Sequence, residues 1–364
     1  MSKRNFGKNI IRILLMIMFC LFLGGCSEED SKPASTSGKS GLSIHYIDVG
    51  QGDCTLIECG GHYMLIDAGN NNKGTTVKAY LESQKVKKLD LVIGTHGDSD
   101  HIGGLDVAIY NFDCGTIIMP DRKRDTKTYR DVIDTIEHKN YKLTYPKVGK
   151  TYSLGDAKVQ IIAPCNYEYG NNENNYSVGV LVTYGESTFL FAGDAEEEAE
   201  EDILKNGIDI DCDVFKASHH GSRTANSKPF LDAALPEYVV ISCGEGNDYG
   251  HPHAELLNEL RSRGIKVFRT DEQGTIVATT DGKTITFNMS PSESWLSGEQ
   301  VKSDKELSDE KDTEEEIEII GNKTSKKYHT RDCGSLPMEE NRVYFDSEEE
   351  AKKAGYEKCG KCDG

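Results

Sequence analysis

A layered α/β domain is the fold class this sequence predicts, on three observations. Short apolar runs rich in Val and Ile recur from Leu42 to Asn288. Stretches with helical spacing fall between them, and glycine and aspartate cluster where the runs stop. At 364 residues the chain has room for about two domains of ~150 residues. It is 37% hydrophobic and 28% charged, which excludes a wholly disordered chain and a polytopic membrane protein. Its 36 glycines follow no three-residue period, so collagen is excluded and a loop-rich enzyme is not.

The chain begins with an address. Lys3, Arg4, Lys8 and Arg12 precede the apolar run Ile13–Leu23, the charged and hydrophobic regions of a secretory signal. Ile10 to Gly25 is only 16 residues, short of the ~20 that span a bilayer. Leu23-Gly24-Gly25-Cys26 resembles a bacterial lipobox, which implies cleavage before Cys26, lipid on its thiol and a place on the extracellular face of the membrane. Residues 26–41 lack large apolar side chains, as a flexible tether does. Loss of the four leader cations takes the formal net charge from −19 to −23. A surface that acidic has no general attraction for nucleic acid, so any such partner must be held locally.

The main domain is expected over 42–288. Leu42–Ile47 alternates at period two and runs into the turn Asp48-Val49-Gly50-Gln51-Gly52-Asp53. Cys54–Glu58 and Tyr63–Asp67 read as a hairpin about Gly60-Gly61, Val77–Val86 as a helix, and Leu89–Thr95 as a buried strand. Further strands fall at 116–119, 158–162, 178–184, 188–192, 213–217 and 238–242, with a helix near Ala254–Arg263. Six cysteines are scattered through this domain without metal spacing and read mostly as small buried hydrophobes. Residues 289–320 carry eleven acids against three lysines, the pattern of a solvated linker, with Trp295 packing its start onto the main domain. A small module remains at 321–364.

The strongest chemical signal is Thr95-His96-Gly97-Asp98-Ser99-Asp100-His101-Ile102-Gly103-Gly104. Two imidazoles and two carboxylates lie within six residues after a buried strand, a density that packing or capping does not require. This loop resembles the H-x-H-x-D-H motif of the metallo-β-lactamase superfamily, with Asp98 in place of the second His. That departure resembles the ComEC/Rec2 competence branch and the phosphorylcholine esterases of cell walls. Further likenesses occur in order at Ile47–Asp53, Leu65–Gly69, Phe191–Ala195, Lys216–Ser222, Asn247–Pro252 and Thr270–Ile276.

The resemblance implies an αββα sandwich over 42–288 and a binuclear site. His96 and Asp98 would hold one metal, Asp100, His101 and His251 the other, and Asp194 would bridge. The superfamily's mid-domain His is missing, since His138 lies on a polar helical stretch. Either His219 or His220 then completes the first set; His220 is preferred as ligand, with His219 contacting phosphate or shuttling a proton. Asn175, Ser177 and Ser222 are the expected substrate contacts. An oxygen-rich donor set admits two Zn or two Mn ions. Metal-activated water, oriented by Asp100, is the expected mechanism, since no Gly-x-Ser-x-Gly or P-loop motif is present.

The resulting expectation is a lipid-anchored extracellular phosphodiesterase, with DNA as the leading substrate. A teichoic acid phosphodiesterase or phosphorylcholine esterase is the second reading, and a non-catalytic surface DNA-binding protein the third. A β-lactamase fits less well, given Asp98 and the missing His.

In the C-terminal module, His329-x3-Cys333 and Cys359-x2-Cys362 supply four ligands for a closed structural zinc site, which a module this small needs in order to fold. A Cys359–Cys362 disulfide is the alternative. The stretch Phe345-x-Ser347 through Gly355-Tyr356 resembles the zinc-binding domain of Ada DNA-repair proteins, with His329 where that family has Cys. The module carries nine basic and nine acidic residues, a balance that lends little to DNA binding.

Overall fold

The computed structural model of the protein describes residues 41–300, 319–330, 333–345 and 347–362. The expected leader, lipidation site at Cys26 and tether up to residue 40, and most of the expected acidic linker, lie outside the described residues.

Six strands open the first sheet: β1 (Leu42–Tyr46), β2 (Thr55–Cys59), β3 (His62–Ile66), β4 (Lys88–Ile93), β5 (Asp113–Ile118) and β6 (Leu143–Thr144). The second sheet takes the next seven: β7 (Thr151–Leu154), β8 (Ala157–Ile161), β9 (Val180–Tyr184), β10 (Ser187–Phe191), β11 (Val214–Lys216), β12 (Tyr238–Ile241) and β13 (Lys266–Arg269). The chain then returns to the first sheet with β14 (Ile276–Thr280) and β15 (Ile285–Phe287). The strand orders are β15-β14-β1-β2-β3-β4-β5-β6 and β13-β12-β11-β10-β9-β8-β7. Each sheet is antiparallel in one part and parallel in the other, with β3 to β6 parallel in the first and β10 to β13 parallel in the second.

Alternation at period two explains the layering. In β10, Phe189 and Phe191 join the central core while Leu190 points to the outer one. In β3, Met64 and Ile66 face the central core and Leu65 the opposite face. Both sheets therefore have two apolar faces, and each outer face needs helices to cover it. Helices α1 (Gly74–Ser83), α2 (Ser99–Ile102), α3 (Leu105–Asn111) and α4 (Lys127–His138) belong to the first sheet's segment. Val77, Leu81, Leu105, Ile109, Val132 and Ile136 make the contact. Helices α5 (Glu197–Asn206), α6 (Lys228–Ala234) and α7 (Ala254–Ser262) cover the second through Ile203, Phe230, Leu231 and Leu256. The expected αββα sandwich is present.

Residues 289–300, expected to begin the linker, continue along the domain instead. Ser292 N donates to Val267 O at 2.7 Å, Arg269 Nη1 to Leu296 O at 2.6 Å and Gly298 N to Pro252 O at 3.0 Å. Arg269 is fully buried, so its guanidinium needs partners, and Asp271 and the carbonyl of Leu296 supply them. Trp295 packs against the outer core of the second sheet.

The C-terminal residues form a separate sheet in the order β18-β16-β17-β19, from β16 (Ile319–Asn322), β17 (Lys327–His329), β18 (Arg342–Phe345) and β19 (Glu357–Lys358). Its core is small: Ile319, Tyr328, Ala351 and Tyr356, with Val343 and Phe345 at the edge.

Candidate metal centre

The parallel strands of both sheets end at one place, and each end delivers a polar side chain. Beyond β4 comes Thr95-His96, beyond β10 comes Asp194, and beyond β11 come His219 and His220. Gly52 allows the β1–β2 turn to close over this point. Its φ is +138°, and a Cβ there would run into the carbonyl oxygen of Asp100. Asp53, next in the chain, then donates its amide to that same oxygen at 3.0 Å.

Side-chain nitrogens and oxygens of Asp53, His101, Asp194 and His220 lie within 4.8 Å of one another, all buried. Asp194 Oδ2 is 3.1 Å from His101 Nε2 and 3.5 Å from His220 Nε2. Asp100 Oδ2 is 3.3 Å from His220 Nε2, and the two imidazole Nε2 atoms face each other at 3.3 Å. The opposite nitrogen of each ring is occupied. Asp67 Oδ2 takes His101 Nδ1 at 2.8 Å and also accepts from Thr95 Oγ1. Ser242 O takes His220 Nδ1 at 3.0 Å. Fixing Nδ1 in this way turns both Nε2 lone pairs into the cleft, the arrangement in which carboxylates and carbonyls orient metal-ligating histidines.

A second set lies beside the first. His96 is buried, with Nδ1 3.2 Å from Thr95 Oγ1 and 3.4 Å from Ser177 Oγ. Its Nε2 points at Asp98 Oδ2, 3.6 Å away. Arg124 holds the other Asp98 oxygen at 3.0 Å and reaches Glu173 at 2.9 Å. Buried polar atoms without a hydrogen-bond partner include His96 Nε2, Asp194 Oδ1 and His251 Nδ1. Leaving such atoms unpaired is costly. Convergent imidazole and carboxylate lone pairs of this kind fit divalent cations.

Charge follows the same geometry. Burial opposes ionisation of Asp194, yet His101 and His220 outweigh it and hold the carboxyl far below its usual range. Burial likewise disfavours a charged His220, but Asp194 and Asp53 carry it up to about 10. His251 goes the other way, down to about 3, through burial and the neighbouring His220 and His219. Asp53 sits at about 2, because Lys216 and His220 together overcome its burial.

Some expected assignments change. The first metal set was to be completed by His219 or His220, but the structure groups His220 with Asp100 and His101. The left-handed backbone at His219 (φ +50°) and His220 (φ +54°) turns consecutive side chains to different sides, so His220 goes inward and His219 to the rim. His219 Nε2 is 3.9 Å from Asp194 Oδ2, while its Nδ1 meets Glu196 at 3.1 Å. His251 lines the same cleft, 5.4 Å from His219 and 6.0 Å from His220 between centroids. His138 is exposed and stacks on Tyr110, away from the site.

The three residues expected to contact substrate are all buried and hydrogen-bonded within the protein. Asn175 clips Glu196 N at 2.9 Å, Ser177 Oγ accepts from Asp194 N at 3.0 Å, and Ser222 Oγ meets Thr224 Oγ1 at 3.0 Å. The residues that do line the cleft beside the metal donors are Gln51, Asn174 and Tyr249. Asp53 and Lys216 were also missed. Lys216 Nζ binds Asp53 Oδ2 at 2.6 Å, and Asp53 Oδ1 faces His220 Nδ1 at 3.3 Å, so Asp53 orients that ring. An aspartate after Gly-Gln-Gly and a lysine inside a buried strand were the available signals.

In the C-terminal module, His329, Cys333, Cys359 and Cys362 also gather within 4.8 Å. His329 Nδ1 is 3.3 Å from Cys333 Sγ, and all three thiols are free, without the alternative disulfide. Three thiols and an imidazole fit the expected structural zinc.

The model of the metallo-beta-lactamase superfamily matches residues 47–245, and one described as ArfC matches 299–358, which overlaps the module read as Ada-like. ComE operon protein 3 of Bacillus subtilis is 26% identical over 297 residues, covering 77% of this chain and 37% of that protein. Recombination protein 2 of Haemophilus influenzae is 27% identical over 273 residues, 74% of this chain and 32% of that one. Competence protein ComA of Neisseria gonorrhoeae is 29% identical over 231 residues, 63% and 31%. The chain thus spans about a third of the length of these relatives. Among solved structures, the metallo-beta-lactamase fold protein YhfI of Bacillus subtilis aligns at TM-score 0.46 and 14% identity, over 66% of this chain and 100% of that one.

Proposed function

Because this chain belongs to the metallo-beta-lactamase superfamily, we propose that it is a metal-dependent phosphodiesterase acting on DNA. The observation that carries the hydrolase reading is the convergence of His101, Asp194 and His220 on one buried point, with Asp100 at its open side. His101, His220, Asp100 and Asp194 would hold one divalent cation, Zn or Mn. His96 and Asp98 would hold a second, and Asp194 Oδ1, buried without a hydrogen-bond partner, is a further donor. Cations bound there would lower the pKa of water and offset the charge of a phosphoryl group.

The protein's own residues set the rest. Asp67 and Ser242 fix the two inward rings, so the donors need no rearrangement to bind. Asp100, a quarter exposed, reaches both His220 and the open cleft, where it can orient a water for attack. His219, braced by Glu196, is placed to meet a phosphoryl oxygen or pass a proton to the leaving group. DNA is supported by homology to proteins named for competence and recombination. The leader and lipobox support a protein secreted and tethered through Cys26 to the outer face of the membrane.

The test uses the full chain in mild detergent with single- and double-stranded DNA and bis-p-nitrophenyl phosphate, in Mn, Zn or EDTA. Metal-dependent DNA cleavage, lost in Asp194→Ala, is the expected result. Hydrolysis of the small diester alone would move the substrate to cell-wall phosphodiesters. Silence on every substrate would leave a binding protein. Labelled palmitate incorporation that persists in Cys26→Ser would remove the anchor.

A further inference from the structure

We propose that Tyr249 is a stacking platform for a nucleobase, so that the cleft takes nucleic acid as a single or locally unpaired strand; this rests on the phosphodiesterase reading above. Tyr249 is 65% exposed and lines the same cleft as Asp98, Asp100, Asp194 and His219. One face of its ring lies on His251, with centroids 5.6 Å apart and planes only 18° from parallel. Its other face is left for a ligand.

The ring is held in place by its loop. Buried Asn247 accepts from Tyr249 N at 3.2 Å and from His251 N at 3.0 Å. Its amide donates to Gly244 O at 2.8 Å and His251 O at 2.6 Å. The loop is tied across to the opposite rim where Gly244 N donates to Gln51 Oε1 at 3.2 Å. A large ring exposed on such a braced loop contributes little to the core, whereas a planar ligand placed on it gains stacking without ordering a loop.

Position supplies the chemistry. From Tyr249 the path to the carboxylates runs through His251 to His220, which is 3.5 Å from Asp194. A strand lying along the cleft would set a base on Tyr249 and a phosphate at the donor cluster, since both line it. A base inside a duplex has both faces covered by its neighbours, so only an unpaired one can lie on the tyrosine. A quaternary ammonium is disfavoured, because recognition of such cations uses a cage of several aromatic rings. Among the described residues lining the cleft, Tyr249 is the only Phe, Tyr or Trp.

The experiment compares binding of a base-bearing single strand with an abasic strand of the same length, by fluorescence anisotropy. It uses the wild-type full chain and the Tyr249→Ala and Tyr249→Phe variants, whose exposed position spares the fold. The wild type should prefer the base-bearing strand by roughly 5- to 100-fold. That ratio should fall toward one in Tyr249→Ala and persist in Tyr249→Phe. An undiminished ratio in Tyr249→Ala, or a wild-type ratio of one, overturns the proposal. Equal binding of both strands, together with displacement by phosphocholine that needs Tyr249, overturns it in favour of a quaternary ammonium. Wild-type hydrolysis of bis-p-nitrophenyl phosphate with Mn, run alongside, separates the two failures. Its absence together with silence on DNA in Mn and in Zn sinks the hydrolase reading, and the strand ratio still judges Tyr249.

Discussion

His220 faces the donor cluster because its far nitrogen is already engaged. Ser242 O and Asp53 sit at Nδ1, which leaves Nε2 to meet Asp100, Asp194 and His101. Asp53 is in turn fixed by Lys216, a lysine only 4% exposed that also donates to Ala217 O. Removing one partner from such a buried pair leaves an uncompensated charge, which is why two residues outside the expected ligand list support it. Glu200 presents a cleaner contest of burial against hydrogen bonding. It is fully enclosed and accepts Asn226 N at 2.6 Å and Ser227 N at 2.8 Å. Burial prevails over those amides and raises its carboxyl from the ordinary 4.5 to about 7. A raised folded pKa means that the neutral form is favoured in the native state. This contribution is therefore full below pH 4.5 and lost as pH rises through about 7. Denaturant melts of the wild type and Glu200→Gln at pH 4.5 and pH 8.5 should show the wild type losing about 3 kcal/mol more than the variant over that interval. Parallel losses in the two proteins would mean that the amides keep Glu200 ionised.

At the scale of elements, the metal loop is a strand end pressed against a neighbouring turn. Ala68 N donates to His101 O at 2.7 Å, and Gly104 N donates to Gly69 O at 3.1 Å. Gly103 lies between those contacts with ordinary helical φ, so its need for glycine is steric: a Cβ would meet the backbone at Asn70, Asn71 and Ser99. Gly103→Ala should therefore push α2 off the 67–71 turn and move His101 with it. The expected outcome is a loss of about 1–3 kcal/mol in stability and a matching fall in divalent metal bound at equilibrium dialysis. Wild-type metal content in that variant would show that the loop can shift without disturbing its ligands. The paired glycines are visible in the sequence, and glycine permits close approach. The partner of that approach was not, because the 67–71 turn lies some thirty residues away in the chain.

At the scale of the whole molecule, two donor sets of different chemistry occur in one chain. The sandwich builds imidazoles and carboxylates on a framework with three large cores, whereas the C-terminal sheet has a core of four buried residues. So small a core needs its three thiols and one imidazole tied together. Cys362→Ser should lower zinc stoichiometry by one and expose the module to proteolysis, with the sandwich still melting as in the wild type. Unchanged zinc content would remove the structural zinc. The amino-acid sequence by itself determined the layered α/β class and, through its resemblance, the sandwich family and His96, Asp98, Asp100, His101, Asp194, His220 and His251 as candidate donors. Periodicity carries the class and the density of donors after a buried strand carries the His96–His101 loop, while the family resemblance carries the rest. Only the tertiary structure decided that His220 joins Asp100 and His101, that Asn175, Ser177 and Ser222 turn inward, and that Asp53, Lys216 and Tyr249 belong to the site. Those outcomes depend on which strand ends meet and on the left-handed backbone at His219 and His220. Neither has a local sequence period, because contacts between two sheets are set by packing across the core.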